Sequence, residues 1–158
     1  MLQNEVKSTQ ALGVAGYIAR GRDSYFNTIG GVCVDEKVEI GYFVQRGDNE
    51  GEFKGVKGNA VTNIAGVAIF DNFKDSVGDT PLKNKGDTIA VLNAGSVYIE
   101  TSAVANAGQF VGVSATDGSL QFADNKTFTG GVFTGFMVVK GNSTATKGVI
   151  EISTAGVK

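Results

Sequence analysis

Glycine constrains this chain more than any other feature: 23 of its 158 residues are Gly, against a single Pro. Turns must therefore rest on Gly, Asn and Asp, which reach positive φ or hydrogen-bond their own backbone. The runs between them are rich in Val, Ile, Phe and Thr, and helical periodicity is scarce. Short β-forming runs closely bounded by turn residues are the pattern of an all-β sandwich or barrel.

Several runs carry the period-two signature of strands. Residues 37–45 alternate Val38, Ile40, Tyr42 and Val44 with Glu39 and Gly41, which predicts four apolar side chains on one face. Residues 88–92 and 96–100 flank Asn93-Ala94-Gly95 and read as a hairpin. Residues 109–113 and 119–122 flank a loop ending in Asp117-Gly118 and read as a second one. The nearly continuous apolar content of 132–140 and 147–153 predicts central strands covered on both sides. The expected core includes Ile89, Val91, Val97, Ile99, Phe136, Val138, Ile150 and Ile152.

Three regions depart from the pattern. In residues 1–25, Leu12, Val14, Tyr17 and Ile18 are interrupted by Gly13, Gly16 and Gly21, with Arg20 and Arg22 behind them; neither strand nor helix explains the segment. Residues 48–58 and 71–85 are polar and read as loops or insertions. The division that follows is an N-terminal extended arm at 1–25 and a compact β-barrel or sandwich-like domain at 26–158, with a loop-rich insertion at 71–85.

Chemistry is hard to place on this chain. It has no His, which removes the usual general base near neutral pH and the commonest neutral metal ligand. Cys33, the single cysteine, lies in the apolar stretch Gly31-Val32-Cys33-Val34 and reads as a buried core thiol. One cysteine also excludes an internal disulfide. Asp48, Glu50 and Glu52 resemble a calcium loop but lack EF-hand spacing, and the glycines at 51, 55 and 58 form no phosphate loop. No catalytic residue, cofactor or metal is expected. With 14 Lys and Arg against 16 Asp and Glu, and no basic stripe, nucleic acid is not an expected partner. Met1–Gln10 lacks the apolar region of a signal peptide and no run approaches bilayer length, so no membrane association is expected.

Read in order, Val14-Ala15-Gly16, then Val38-Glu39-Ile40-Gly41, then KGDTIAVLNAGSVYIET from Lys85 and AVANAGQFVGVSATDGSL from Ala103, the chain resembles the structural cement, or head decoration, proteins of tailed bacteriophages. The resemblance runs from about Ala11 onward and departs from the family pattern at 71–85 and at 48–52. It implies a non-enzymatic virion protein, made in the bacterial cytoplasm, that attaches to the outer surface of the major capsid protein lattice and reinforces the head. It also implies a homo-oligomer, since such proteins occupy symmetry positions.

In that reading Leu12, Val14, Tyr17 and Ile18 are apolar anchors for the capsid, and Arg20 and Arg22 are partners for capsid carboxylates. The same residues could equally form a first strand packed within the chain, because alternation does not distinguish an inside neighbour from an outside one. Two other functions fit the composition: another phage structural subunit, of tail tube or baseplate, and a carbohydrate-binding β module using exposed aromatics. An enzyme would have to work with carboxylates such as Asp35 and Glu36 alone.

Overall fold

The computed structural model describes residues 14–19, 26–35, 37–70, 82–142 and 148–155, and every regular element among them is a strand. Five strands close into a barrel: β1 (Asn27–Cys33), β3 (Phe43–Arg46), β4 (Glu52–Gly55), β5 (Ile64–Ile69) and β7 (Thr88–Ala94), in the order β1-β4-β3-β5-β7. Five more form an antiparallel sheet in the order β10-β9-β11-β12-β8: β8 (Ser96–Thr101), β9 (Phe110–Ser114), β10 (Leu120–Ala123), β11 (Gly131–Lys140) and β12 (Gly148–Ser153). The short β2 (Val38–Glu39) and β6 (Leu82–Lys83) pair beside the barrel.

The barrel strands supply two cores at once. Ile89 and Val91 of β7, Ala68 of β5 and Val44 of β3 fill the barrel interior with Cys33 and Phe53. Their neighbours Leu92, Val67, Ile69 and Phe43 point the other way. There they meet Val97, Ile99, Val111, Val113, Phe136, Val138, Ile150 and Ile152 from the sheet. Successive side chains on a strand alternate faces, so a strand buried on both sides must be apolar throughout. All eight core residues expected from the sequence are buried, but β11, expected to be covered on both sides, buries one face only: Phe136 and Val138 are buried while Phe133, Met137 and Val139 on the other face are half-buried.

The hairpin expected at 109–122 forms as the antiparallel pair β9 and β10, and the strands expected at 132–140 and 147–153 are β11 and β12, an antiparallel pair inside the sheet. Two other expectations need correction. Residues 88–100 are not a hairpin: β7 is flanked on both edges by β1 and β5, leaving β8 no edge to pair with, and β8 pairs with β12 instead. The chain steps between layers at Gly95, whose φ of 122° suits glycine, and Gly95 is held by Thr154 through 2.9 and 3.0 Å hydrogen bonds. Nor is 37–45 a single strand. It breaks at Gly41, φ 85°, so Val38 and Val44 face the barrel interior while Tyr42 joins the shared core. The polar stretch 48–58 also contains a strand, β4, because Phe53 between Glu52 and Lys54 is buried in the barrel.

Hydrogen bonds at one end stitch the layers together. Gly58 N–H donates to Asp117 O at 2.6 Å and Val61 N–H to Ala115 O at 2.9 Å, joining the β4–β5 loop to the β9–β10 turn. Buried Gln45 holds that loop in place. Its amide nitrogen donates to Gly55 O and Ala60 O at 3.1 and 3.0 Å, and its oxygen accepts from Thr62 N–H at 3.3 Å. Tyr42 Oη donates to Gly118 O at 2.7 Å across the same seam.

Val138→Asp should destabilise the protein by about 3 kcal/mol or more, since the charge would sit unpaired in the shared core; urea unfolding followed by circular dichroism measures this. Tyr42 supplies a pH test. Burial, then the charges of Glu39 and Asp117, push its phenol from the ordinary 10.0 up to about 12. Folding thus favours the protonated hydroxyl, whose contribution is complete below pH 10 and lost as pH rises toward about 12. Stability should fall over that window, and Tyr42→Phe should flatten the fall.

Candidate interaction surface

The sheet does not end at β8. Residues 14–19 lie along its outer edge, with Ile18 opposite Val97 in an antiparallel bridge. Gly16 N–H donates to Tyr98 O at 2.9 Å, Tyr98 N–H to Tyr17 O at 3.1 Å, and Ala19 N–H to Ser96 O at 2.9 Å. Gly16 O also accepts from Phe70 N–H at 3.1 Å, just past β5 of the barrel. This short strap therefore ties both layers.

Its glycine is required. Gly16 has φ 93°, and a Cβ there would lie 2.6 Å from Ile40 Cγ2 and 3.1 Å from the Phe70 ring. Gly41 is similarly crowded, by the backbone of Ala15. This close approach is the physical reason for the glycine at 16 in a segment that fitted neither strand nor helix in sequence; Gly13 and Gly21 lie outside the described residues.

The strap sorts the anticipated contact residues. Val14 and Tyr17 point outward, 59% and 52% exposed, and the Tyr17 ring lies over Phe70 with centroids 4.8 Å apart. Ile18 packs against the shared core and Ala19 is buried. Leu12, Arg20 and Arg22 lie outside the described residues.

Groups that could suggest catalysis are committed to structure. The Asp35 carboxylate accepts from Gly55 N–H at 2.7 Å, and Glu36 lies outside the described residues. Burial pushes the Cys33 thiol up, which disfavours the thiolate, and its Sγ–H donates to Asp35 O at 3.2 Å. Around the β3–β4 turn, Asp48 pairs with Lys54 at 2.9 Å, and Glu52 accepts from Asn49 N–H and Nδ2 at 3.1 Å. No group of three or more metal-ligating side chains occurs among the described residues. A shallow cleft beside Tyr42 is bordered by its own ion pair, Lys57 to Glu39 at 2.9 Å, with Lys57 also over the Tyr42 ring.

A carbohydrate-binding module would need exposed aromatics, and Phe136 is in the core. Phe110 and Phe133 are half-buried on the sheet's outer face and meet at 5.7 Å. Phe128, from the β10–β11 loop, stacks on Phe133 and lies flat against Gly112, where a Cβ would strike its ring. The cluster anchors its own loop.

Two stacked β layers with their polar groups turned to holding loops and edges define a structural β protein. The chain belongs to the structural cement protein family: the family model described as "Structural cement protein (E217 gp24/Pam3 gp6)" matches residues 2–155. Among solved structures, a chain of "The capsid of Myoviridae Phage XM1" matches with a TM-score of 0.67 and 18% identity, over 99% of this chain and 99% of that one. Its fold is therefore shared. A chain of "The crystal structure of head fiber gp8.5 N base in bacteriophage phi29" matches more distantly, with a TM-score of 0.43 and 10% identity over 85% of this chain and 99% of that one. No curated protein matches.

Gly16→Val should cost about 2 to 4 kcal/mol, combining an unfavourable φ with the collision against Ile40 and Phe70. Val14→Ser should be nearly silent. Thermal melts of the two variants side by side measure the difference.

Proposed function

We propose that this protein binds the outer surface of the assembled major capsid protein lattice and reinforces the phage head. Membership of the structural cement family, over residues 2–155, is the observation that carries this reading. The architecture suits the task. A body with two apolar cores and a hydrogen-bonded seam between its layers has few soft modes, so force applied at its surface is passed on rather than absorbed by local unfolding.

In this reading the protein works in the virion, and its contacts include the exposed side of the strap. Val14 and Tyr17 offer apolar surface on backbone that is already ordered, so docking need not first fix that backbone. Ile18 acts indirectly, by holding the strap to the core. Leu12, Arg20 and Arg22 extend the same contact, with the arginines placed in sequence to meet capsid carboxylates.

Adding wild type and a Val14→Ser/Tyr17→Ser double variant to cement-free capsids, and measuring occupancy by co-sedimentation, tests both levels. Wild type should bind. The variant should keep its melting temperature within a few degrees and lose about tenfold in affinity, as expected for removing an interface anchor. No binding by wild type would reject the function; equal binding by the variant would reject the strap as a principal contact.

A further inference from the structure

We propose that the barrel opens locally where β1 meets β4, and that this joint parts and closes while the rest of the molecule stays folded, making Cys33 reachable by thiol reagents. The joint is short. β1 and β4 pair only at Val32↔Glu52 and Cys33↔Phe53, whereas β1 and β7 pair from Asn27↔Ala94 to Val32↔Thr88. It is also the one parallel pairing among the described strands, and parallel pairs are slightly weaker per residue.

The other barrel strands are held from behind. β3, β5 and β7 place Phe43, Val67, Ile69 and Leu92 in the core shared with the sheet. Neither β1 nor β4 contributes a residue to that core, and Val32, on the outer side of the joint, is 43% exposed. Opening breaks the bonds from Val32 N–H to Gly51 O and from Val34 N–H to Phe53 O, 2.8 and 3.0 Å, and leaves the contact between the layers intact. β4 stays tethered at its far end, where Gly55 O accepts from buried Gln45 and Val56 lies in the shared core. These two strands are the exception to the stiffness of the body, since local openings start where few buried contacts must be given up.

The closed joint depends on a close fit at Gly31. The Phe53 ring lies against it, and a Cβ there would strike both that ring and Gly51 O. Gly31 does not have a positive φ, so what the position demands is space and not an unusual backbone. Behind Phe53 sits Cys33, fully buried in the barrel interior. Its thiol meets solvent only when β4 moves away, which makes it a reporter of the opening. The inference does not depend on capsid binding.

Backbone groups alternate sides along β1, so one strand carries its own control. Val32 and Val34 donate toward β4, while Cys33 donates to Asp87 O on the β7 side at 2.9 Å and Gly31 faces that side too. Amide hydrogen exchange of the full chain, corrected for intrinsic rates, should be at least tenfold faster at Val32 and Val34 than at Gly31 and Cys33. Reaction of Cys33 with dithiodipyridine separates local from global opening. Gly31→Ala, which wedges the joint, should speed it at least tenfold. Val138→Ala weakens the shared core, which the open form retains, so it should raise the global unfolding constant in urea and leave the Cys33 rate within about twofold. Equal protection on the two sides of β1, or a Cys33 rate that rises with the unfolding constant of Val138→Ala, would overturn the proposal.

Discussion

The rest of the structure depends on the contact between the outer wall of the barrel and the inner face of the sheet. Phe43 meets Phe136 there edge to face, with ring centroids 5.7 Å apart, among aliphatic side chains from both layers. Each fully buried large apolar side chain contributes roughly 1.5–3 kcal/mol, so this surface dominates the stability of a chain with few ion pairs among its described residues. It also imposes the burial of β5 and β7 on both faces. A five-stranded barrel with a polar exterior would stand alone; this one does not have that exterior.

Joining two layers leaves polar backbone to satisfy at their margins, and the chain does so with side chains and glycines rather than helices. Gln45 occupies a buried position but bonds two carbonyls and one N–H of a single loop. Tyr42 places its ring in the shared core and its hydroxyl on Gly118 O. The strap at 14–19 lies along the β8 edge and bonds to Phe70 in the same stroke, which is possible only because Gly16 lets two backbones and a phenyl ring meet. Burial of an unpaired polar group would cost about 1–3 kcal/mol each time.

This economy bears on function. Asp35 is hydrogen-bonded to Gly55 at the end of β4, Asp48 and Glu52 are held around the β3–β4 turn, and burial favours the protonated Cys33 thiol. Among the described residues, the outer side of the strap, with Val14 and Tyr17, is left exposed. The chain's membership of the structural cement family accords with this arrangement.

By itself the sequence determined that the chain is β, where most of its strands lie and which of their residues are buried, because period-two alternation and glycine-bounded runs act locally. It also carried the family, through the order of its short motifs. Tertiary structure decided which neighbour each buried face would meet. Ile89 and Val97 show the same alternation, yet one fills the barrel and the other the shared core, and Gly95 between them turns the chain from one layer to the other instead of closing a hairpin. The strap shows this again: Tyr17 and Ile18 are adjacent and both apolar, but one faces solvent and the other the core, according to which edge the segment lies against. Alternation records that a side chain has an apolar neighbour; only the packing of distant segments supplies the neighbour.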